Sequence, residues 1–285
     1  MIGPLPDLSA LDLAADPAGC CAQVYESDAV RWLLDGQLHP GGEQLTLRLA
    51  HLAGVARGQR VLDVACGSGG TVILLARSLG CTAVGVDLGA RAIEQATDAA
   101  RRAQLDGRAS FVLGDAEALP LADAGFDVAL SECSLCTFPD KQRAVAEMAR
   151  VVRPGGIIAI ADVTADLDSL PTPLRGAAAR VACVADACSA QEYAALLRGA
   201  GCEPLAIEQH DAELAAMAHR VEARLRVARM LIPPGEQRER VAEAASLTRL
   251  AIDAIARGTL GYALLVARRR GATGSWSSSG TANIG

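Results

Sequence analysis

The chain has 285 residues, 51% hydrophobic and 21% charged, with a formal net charge of −6 at pH 7. A chain this long buries a large core without disulfide staples, and with only 3% aromatic residues that core is built from Ala, Val and Leu. An acidic chain with no dense Lys/Arg block and few stacking aromatics excludes a nucleic-acid partner, whose phosphates demand a basic surface, and points to a small-molecule ligand.

The segment 1–16, MIGPLPDLSALDLAAD, lacks a basic flank ahead of an apolar stretch, so no secretory signal is expected. Apolar runs such as Thr71–Ala76 and Gly156–Ala161 fall far short of the roughly 18–20 residues of a spanning helix. A cytoplasmic protein with no membrane partner follows as the expectation. The nine cysteines, an odd number, are then not a disulfide framework, because the cytosol keeps thiols reduced.

In chain order, residues 1–58 read as a helical lid, since Leu33, Leu34, Leu38, Leu45, Leu47, Leu49 and Leu52 need burial at helical spacing. Arg60–Ala65 is a β-branched strand ending in glycines, and Thr71–Leu79 follows with helical spacing. Thr82–Val86 is a second strand, Ala90–Ala103 a helix and Ala109–Leu113 a third strand. Val128–Glu132 is the fourth strand. Lys141–Val152 is a helix stopped by Arg153-Pro154-Gly155-Gly156, and Ile157–Val163 is the fifth strand. Gln191–Ala200 is a helix closed by Gly201, and Glu203–His210 the sixth strand. Residues 212–257 are helices broken at Ile232-Pro233-Pro234-Gly235, and Leu260–Ala267 is the last strand.

Strands alternating with helices imply right-handed crossovers and an α/β fold: a mainly parallel, twisted, seven-stranded sheet with helices on both faces. The organisation expected is a lid over 1–58, a core over 59–211, a helical insertion over 212–258, the last core strand over 259–270 and a disordered tail over 271–285. Both helical segments are expected to cover the carboxyl edge of the sheet, where ligands of such folds sit.

Three motifs fall at the ends of successive strands. Val61-Leu62-Asp63-Val64-Ala65-Cys66-Gly67-Ser68-Gly69-Gly70 runs from a strand through a Gly-rich turn into a helix, where glycines allow close backbone approach and the helix start offers unpaired amides. Val84-Gly85-Val86-Asp87 ends the second strand with a carboxylate placed to accept from a ribose diol. Gly114-Asp115-Ala116-Glu117 closes the third. A nicotinamide dehydrogenase would want a regular Gly-x-Gly-x-x-Gly, which Cys66-Gly67-Ser68-Gly69-Gly70 does not supply.

The segments VLDVACGSGG, GVDLGARAIEQA, LGDAEALPLADAGFDVAL and EMARVVRPGG, over about residues 60–160, resemble the successive motifs of class I S-adenosylmethionine-dependent methyltransferases, which have a Rossmann-like fold. The resemblance implies S-adenosylmethionine as cofactor. It implies a binding set of Asp63, Ala65, Gly67, Gly69, Asp87, Leu88, Asp115, Ala116 and Glu132. Within that set Gly67 and Gly69 bring backbone close to the cofactor, Asp63 orients the loop and meets the amino group, Asp87 binds the ribose hydroxyls, and Asp115 with Ala116 meets the adenine.

The methyl acceptor is read from what surrounds the reacting end. Displacement at a sulfonium needs a positioned, desolvated electron pair, and a hydroxyl acceptor usually needs a base as well. Of His39, His51, His210 and His219 none follows the fourth strand, although a lid can bring in His39, and His210 follows the sixth strand. Ser131-Glu132-Cys133-Ser134-Leu135-Cys136 follows the fourth strand instead, Cys183 and Cys188 follow the fifth, and Cys20-Cys21 lie in the lid. Cysteine is most often a small buried hydrophobe, a role that suits Cys81 and Cys202. The loop cysteines, with Ala182–Cys188 and Glu192-Tyr193, resemble the arsenite methyltransferase family. That resemblance implies a thiolate site of Cys133 with Cys183 or Cys188, closed by Cys20 or Cys21, holding trivalent arsenic as substrate with no resident metal. Zinc at Cys133, Cys136, Cys183 and Cys188 is a weaker pattern. The alternatives are a carbon or oxygen methyltransferase of a small metabolite, or a non-catalytic cofactor-binding thiol or metal sensor.

Overall fold

The computed structural model describes residues 28–176 and 183–271; Cys20, Cys21, the first half of the expected lid and the expected tail lie outside the described residues. Helices α1 (Asp28–Leu33) and α2 (Gly42–Leu52) precede β1 (Arg60–Val64), α3 (Gly70–Leu79), β2 (Thr82–Asp87), α4 (Ala90–Arg102) and β3 (Ala109–Leu113). Then come β4 (Phe126–Glu132), α5 (Lys141–Val151), β5 (Val152–Ala165), α6 (Ala190–Gly199), β6 (Cys202–Gln209), α7 (Asp211–Leu231), α8 (Glu236–Ala256) and β7 (Leu260–Arg269).

The seven strands form one sheet in the order β3-β2-β1-β4-β5-β7-β6. Neighbours from β3 to β5 pair in parallel, while β7 runs antiparallel between β5 and β6. This is the α/β arrangement expected from the alternation of elements. The order reverses at β1, whose neighbours β2 and β4 leave it in opposite directions, so the carboxyl ends of β1, β2 and β4 open a crevice at the switch point. Strands buried on both faces explain the near-continuous apolar runs Val61–Val64 and Ile157–Ala161.

One face carries α2, α3, α7 and α8 over Val61, Leu130, Tyr262 and Leu264; the other carries α5 and α6, through Met148 and Tyr193, over Leu62 and Ile158. Local chemistry sets the helix ends. The Asp140 side chain accepts from the Arg143 amide and caps α5, and Ser189 with Glu192 forms a reciprocal capping box at α6.

Pro154-Gly155-Gly156 does more than stop α5. The chain enters β5 at Val152, directly after the helix, and a Cβ at Gly156 would stand 2.6 Å from the Asp127 carbonyl oxygen. The glycine is therefore a close-approach residue between β5 and β4 as well as a helix terminator.

Ile232-Pro233-Pro234-Gly235 separates α7 from α8 as expected, but this helix pair does not reach the crevice wall. Its far end instead backs α1, with Leu225, Ala228, Ile232, Val241 and Ala245 packed on Ala29, Val30 and Leu33. Arg224 of α7 lies 5.3 Å from the Trp32 ring centre and hydrogen-bonds the Trp32 carbonyl and the Asp35 carboxylate. The expectation that both helical segments cover the site is corrected accordingly: α1, α2 and their connecting loop form the cover, and α7–α8 hold α1 in place.

Candidate functional site

A single turn at the end of β1 sets the geometry. Ala65 takes a left-handed φ of 62°, Gly67 follows at 51° and Gly69 at 81°. The Cys66 amide donates to the Val86 carbonyl at 3.0 Å, which locks the turn to β2. A Cβ at Gly67 meets nothing within 4 Å, so its backbone faces open space; a Cβ at Gly69 would stand 2.6 Å from the Phe111 ring and 2.8 Å from Ala96. Gly67 is thus the residue that exposes backbone. At Gly69, expected to do the same, the missing side chain also lets the turn pack closely on β3 and α4.

The crevice encloses about 550 Å³. Asp63, Ala65, Gly67, Asp87 and Leu88 line it at the ends of β1 and β2, Asp115 and Ala116 at the end of β3, and Glu132 and Cys133 at the end of β4. Both oxygens of Asp87 are engaged: Oδ2 accepts from the Gly67 amide and Oδ1 from the Gly89 amide, each at 2.8 Å. Each carboxylate oxygen retains a further lone pair, so the same group can still accept from a diol. Asp115 is held similarly, its Oδ1 accepting from the Glu117 amide at 2.8 Å.

Glu43, Asp63, Asp87, Asp115, Glu117 and Glu132 face the crevice, whereas Arg31 is the one lining Arg or Lys among the described residues. A ligand carrying a sulfonium and an ammonium complements such a wall. Asp63 is 4% exposed, and burial first, then the neighbouring Glu132 and Asp87 carboxylates, push its pKa well above the usual carboxylate range. A buried acid beside two others is costly to ionise until a cation arrives. Glu132 accepts from the Thr71 hydroxyl at 2.8 Å and from the Thr46 hydroxyl at 3.0 Å. Thr46 and Thr71 carry no motif signal in the sequence.

The opposite wall comes from the N-terminal segment: Arg31 on α1, then Gln37, Leu38 and His39, then Glu43 and Thr46 on α2. Arg31 Nη2 donates to Gln95 Oε1 on α4 at 2.9 Å and ties this cover to the rim beyond β2. His39 therefore lies in the site, whereas His210 pairs with Glu208 and Glu213 outside it.

The cysteines separate into two groups. Cys133, with a left-handed φ of 49°, lines the crevice and its thiol donates to the Tyr262 hydroxyl at 3.4 Å. The Cys183 thiol donates to the Cys133 carbonyl at 3.6 Å, and Cys136 lies beside both. Asp162 beneath them accepts from the Cys136 amide at 3.1 Å. Burial pushes the Cys133 and Cys136 thiols well above their ordinary value, so both are protonated thiols rather than thiolates. Cys188 pairs with Thr164 alongside β5 and packs with Leu196 and Tyr193 on the other face of the sheet. The fold thus brings Cys133 to Cys183 and separates Cys188 from them. Among the described residues no three His, Cys, Asp or Glu side chains group to hold a metal ion. Cys133 and Cys183 are thus the pair brought together, Cys20 and Cys21 lie outside the described residues, and the four-sulfur zinc pattern with Cys188 is not assembled.

A family described as a methyltransferase domain matches residues 56–217, more than half the chain. The chain belongs to that methyltransferase family. It is a class I, S-adenosylmethionine-dependent enzyme, and the acidic crevice over Gly67 is a fitting cofactor site. Among curated relatives, this methyltransferase is 42% identical over 126 residues to methyltransferase GfsG of Streptomyces halstedii, covering 44% of this chain and 45% of that one. It is 37% identical over 169 residues to the 27-O-demethylrifamycin SV methyltransferase of Amycolatopsis mediterranei, covering 58% and 61%. An arsenite methyltransferase of Halobacterium salinarum is 31% identical over 222 residues, covering 70% and 53%. The methyltransferase thus spans between 45% and 61% of the first two relatives. The crystal structure of the [4+2]-cyclase SpnF superposes with a TM-score of 0.71 at 25% identity, covering 90% of this chain and 97% of that one.

Proposed function

We propose that the enzyme methylates a hydroxyl of a small, uncharged metabolite. The observation that carries this reading is the acceptor end of the crevice, where Thr46, Ser134, Thr137 and His39 face the space around Glu132 and Cys133. That wall offers neutral hydrogen-bonding groups for a polar organic acceptor. Among the described residues it offers no cluster of cations for a phosphate, since the one lining arginine, Arg31, is held by Gln95. The relative named for 27-O-demethylrifamycin SV supports oxygen as the acceptor atom.

In this reading Asp87 takes the ribose hydroxyls, Asp115 and Ala116 flank the adenine, and the Gly67 backbone lies against the cofactor with Leu88 over it. Asp63 and Glu132 balance its cationic end. The bound cofactor supplies an electrophilic methyl group on sulfur. The chain's residues hold the acceptor in line, exclude water and accept the proton.

Trivalent arsenic is the reading that the resemblance of the loop cysteines implies, and the relative from Halobacterium salinarum keeps it worth testing. Cys133 and Cys183 lie together as that reading asks, while the relative named for 27-O-demethylrifamycin SV favours oxygen. Purified enzyme with isotopically labelled S-adenosylmethionine, offered hydroxyl, thiol and arsenite acceptors under reducing conditions, decides between them. Label in a methyl ether supports the proposal, and label recovered only in methylated arsenic overturns it.

A further inference from the structure

Resting on the oxygen-methylation reading, we propose that His39 is the general base that takes the acceptor's proton. The signal is the segment Leu38-His39-Pro40-Gly41-Gly42 between α1 and α2. Gly41 and Gly42 have φ of 73° and 51°, and a Cβ at Gly41 would stand 2.6 Å from Leu45. Only glycine lets the loop fold back this tightly on the first turn of α2, and the fold-back sets the His39 ring above Thr46.

The hydrogen-bond network assigns the tautomer. His39 Nδ1 lies 3.2 Å from the Pro40 carbonyl oxygen, which can only accept, so Nδ1 carries the proton and Nε2 bears a lone pair. Nε2 is 3.4 Å from the Thr46 hydroxyl. That hydroxyl has one proton, and the Glu132 carboxylate, at 3.0 Å from Oε1 and 3.2 Å from Oε2, is the stronger and nearer acceptor. Thr46 therefore spends its proton on Glu132 and leaves the Nε2 lone pair for a donor in the crevice, which His39 lines.

The placement suits the chemistry. Through Thr46, His39 is linked to Glu132 at the carboxyl end of β4, two strands away from Asp87 in the sheet order. A hydroxyl bonded to Nε2 would present its remaining lone pairs to that end of the cofactor. As the oxygen forms its bond to the methyl carbon, the carbon–sulfur bond breaks, sulfur keeps that electron pair, and the hydroxyl proton passes to Nε2. The products are a methyl ether, a neutral thioether and an imidazolium ion that gives its proton to solvent.

Two phenols test this. At about pH 8.5, 4-methylphenol is un-ionised and needs a base, whereas 4-nitrophenol is already the phenolate. His39→Ala should lower methyl transfer to 4-methylphenol by about 10²–10⁴-fold, change the rate with 4-nitrophenol by less than about 5-fold, and leave calorimetric S-adenosylmethionine binding intact. Equal losses on both phenols would make His39 a structural residue and overturn the assignment alone. Failure of the wild type to methylate any hydroxyl would overturn the oxygen reading, and the base with it. Nitrogen-15 NMR of labelled histidine gives a readout without turnover: a neutral His39 protonated at Nδ1 is expected, and protonation at Nε2 contradicts the proposal.

Discussion

Replacing Asp63 by Asn is the sharpest test of how this site stores its binding energy. The carboxylate is almost completely buried, and its ionisation is opposed by burial and by Glu132 and Asp87. Because its folded pKa is raised, the protonated form suits the cofactor-free fold. Unfolded Asp ionises near pH 4 while the folded one keeps its proton, so this contribution is complete below about pH 4 and is lost progressively as pH rises from there toward the raised value. An amide of the same shape stays neutral in both the folded and the unfolded chain, so it removes this pH-dependent loss and gives back part as an imperfect hydrogen-bond fit. The net gain is about 1–2 kcal/mol, or roughly 2–5 °C in melting temperature for a chain of this size. The same change should weaken S-adenosylmethionine binding by about 2–3 kcal/mol, since a charged partner of the cofactor's cationic end is gone. Differential scanning fluorimetry at pH 5 and pH 8, paired with calorimetric titration, reads both effects. A variant less stable than wild type at pH 8, or one that binds the cofactor as tightly, would refute the argument.

The turn makes a paired prediction: Gly69→Ala should cost about 3 kcal/mol, because its Cβ collides with Phe111 and Ala96. Gly67→Ala should cost only about 1 kcal/mol in denaturant melts while reducing cofactor affinity, because it meets open space at a left-handed φ. Asp162, fully buried on β5, is pushed up to about 6 from 3.8 chiefly by burial. At about 1.4 kcal/mol per pH unit, its ionisation removes roughly 3 kcal/mol of stability as pH rises from about 4 through 6. Asp162→Asn should therefore flatten the fall in unfolding free energy over that window, and an unchanged slope would count against the argument. Arg224→Ala removes the ring contact and the two bonds that hold α1, and should raise the S-adenosylmethionine dissociation constant several-fold without altering the melting of the sheet.

The sheet was legible because its signals are local. Alternating element types, the Ile232-Pro233-Pro234-Gly235 break and the glycine turn after β1 each follow from a few adjacent residues, and the structure has all three. Side-chain direction was less legible. Cys133 and Cys188 sit after strands that end side by side, yet residues along extended backbone alternate between faces, and the pairing of Cys188 with Thr164 sends its side chain to the far side of the sheet. The same holds for Gly67 and Gly69, since a motif says that a turn exists but not that a side chain at Gly67 would meet open space and one at Gly69 would meet Phe111. Thr46, Thr71 and Gln95 went unseen because each gains its role from a partner at least 61 residues away in the chain.

A crystal structure with S-adenosylhomocysteine bound tests the account most directly. The ribose hydroxyls should lie within hydrogen-bonding distance of the Asp87 carboxylate, the cofactor should run against the Gly67 backbone, and its sulfur should face the space between Glu132, Cys133 and His39. A cofactor bound elsewhere, or one whose sulfur points away from His39 toward the other face of the sheet, would contradict both the site and the reaction assigned to it.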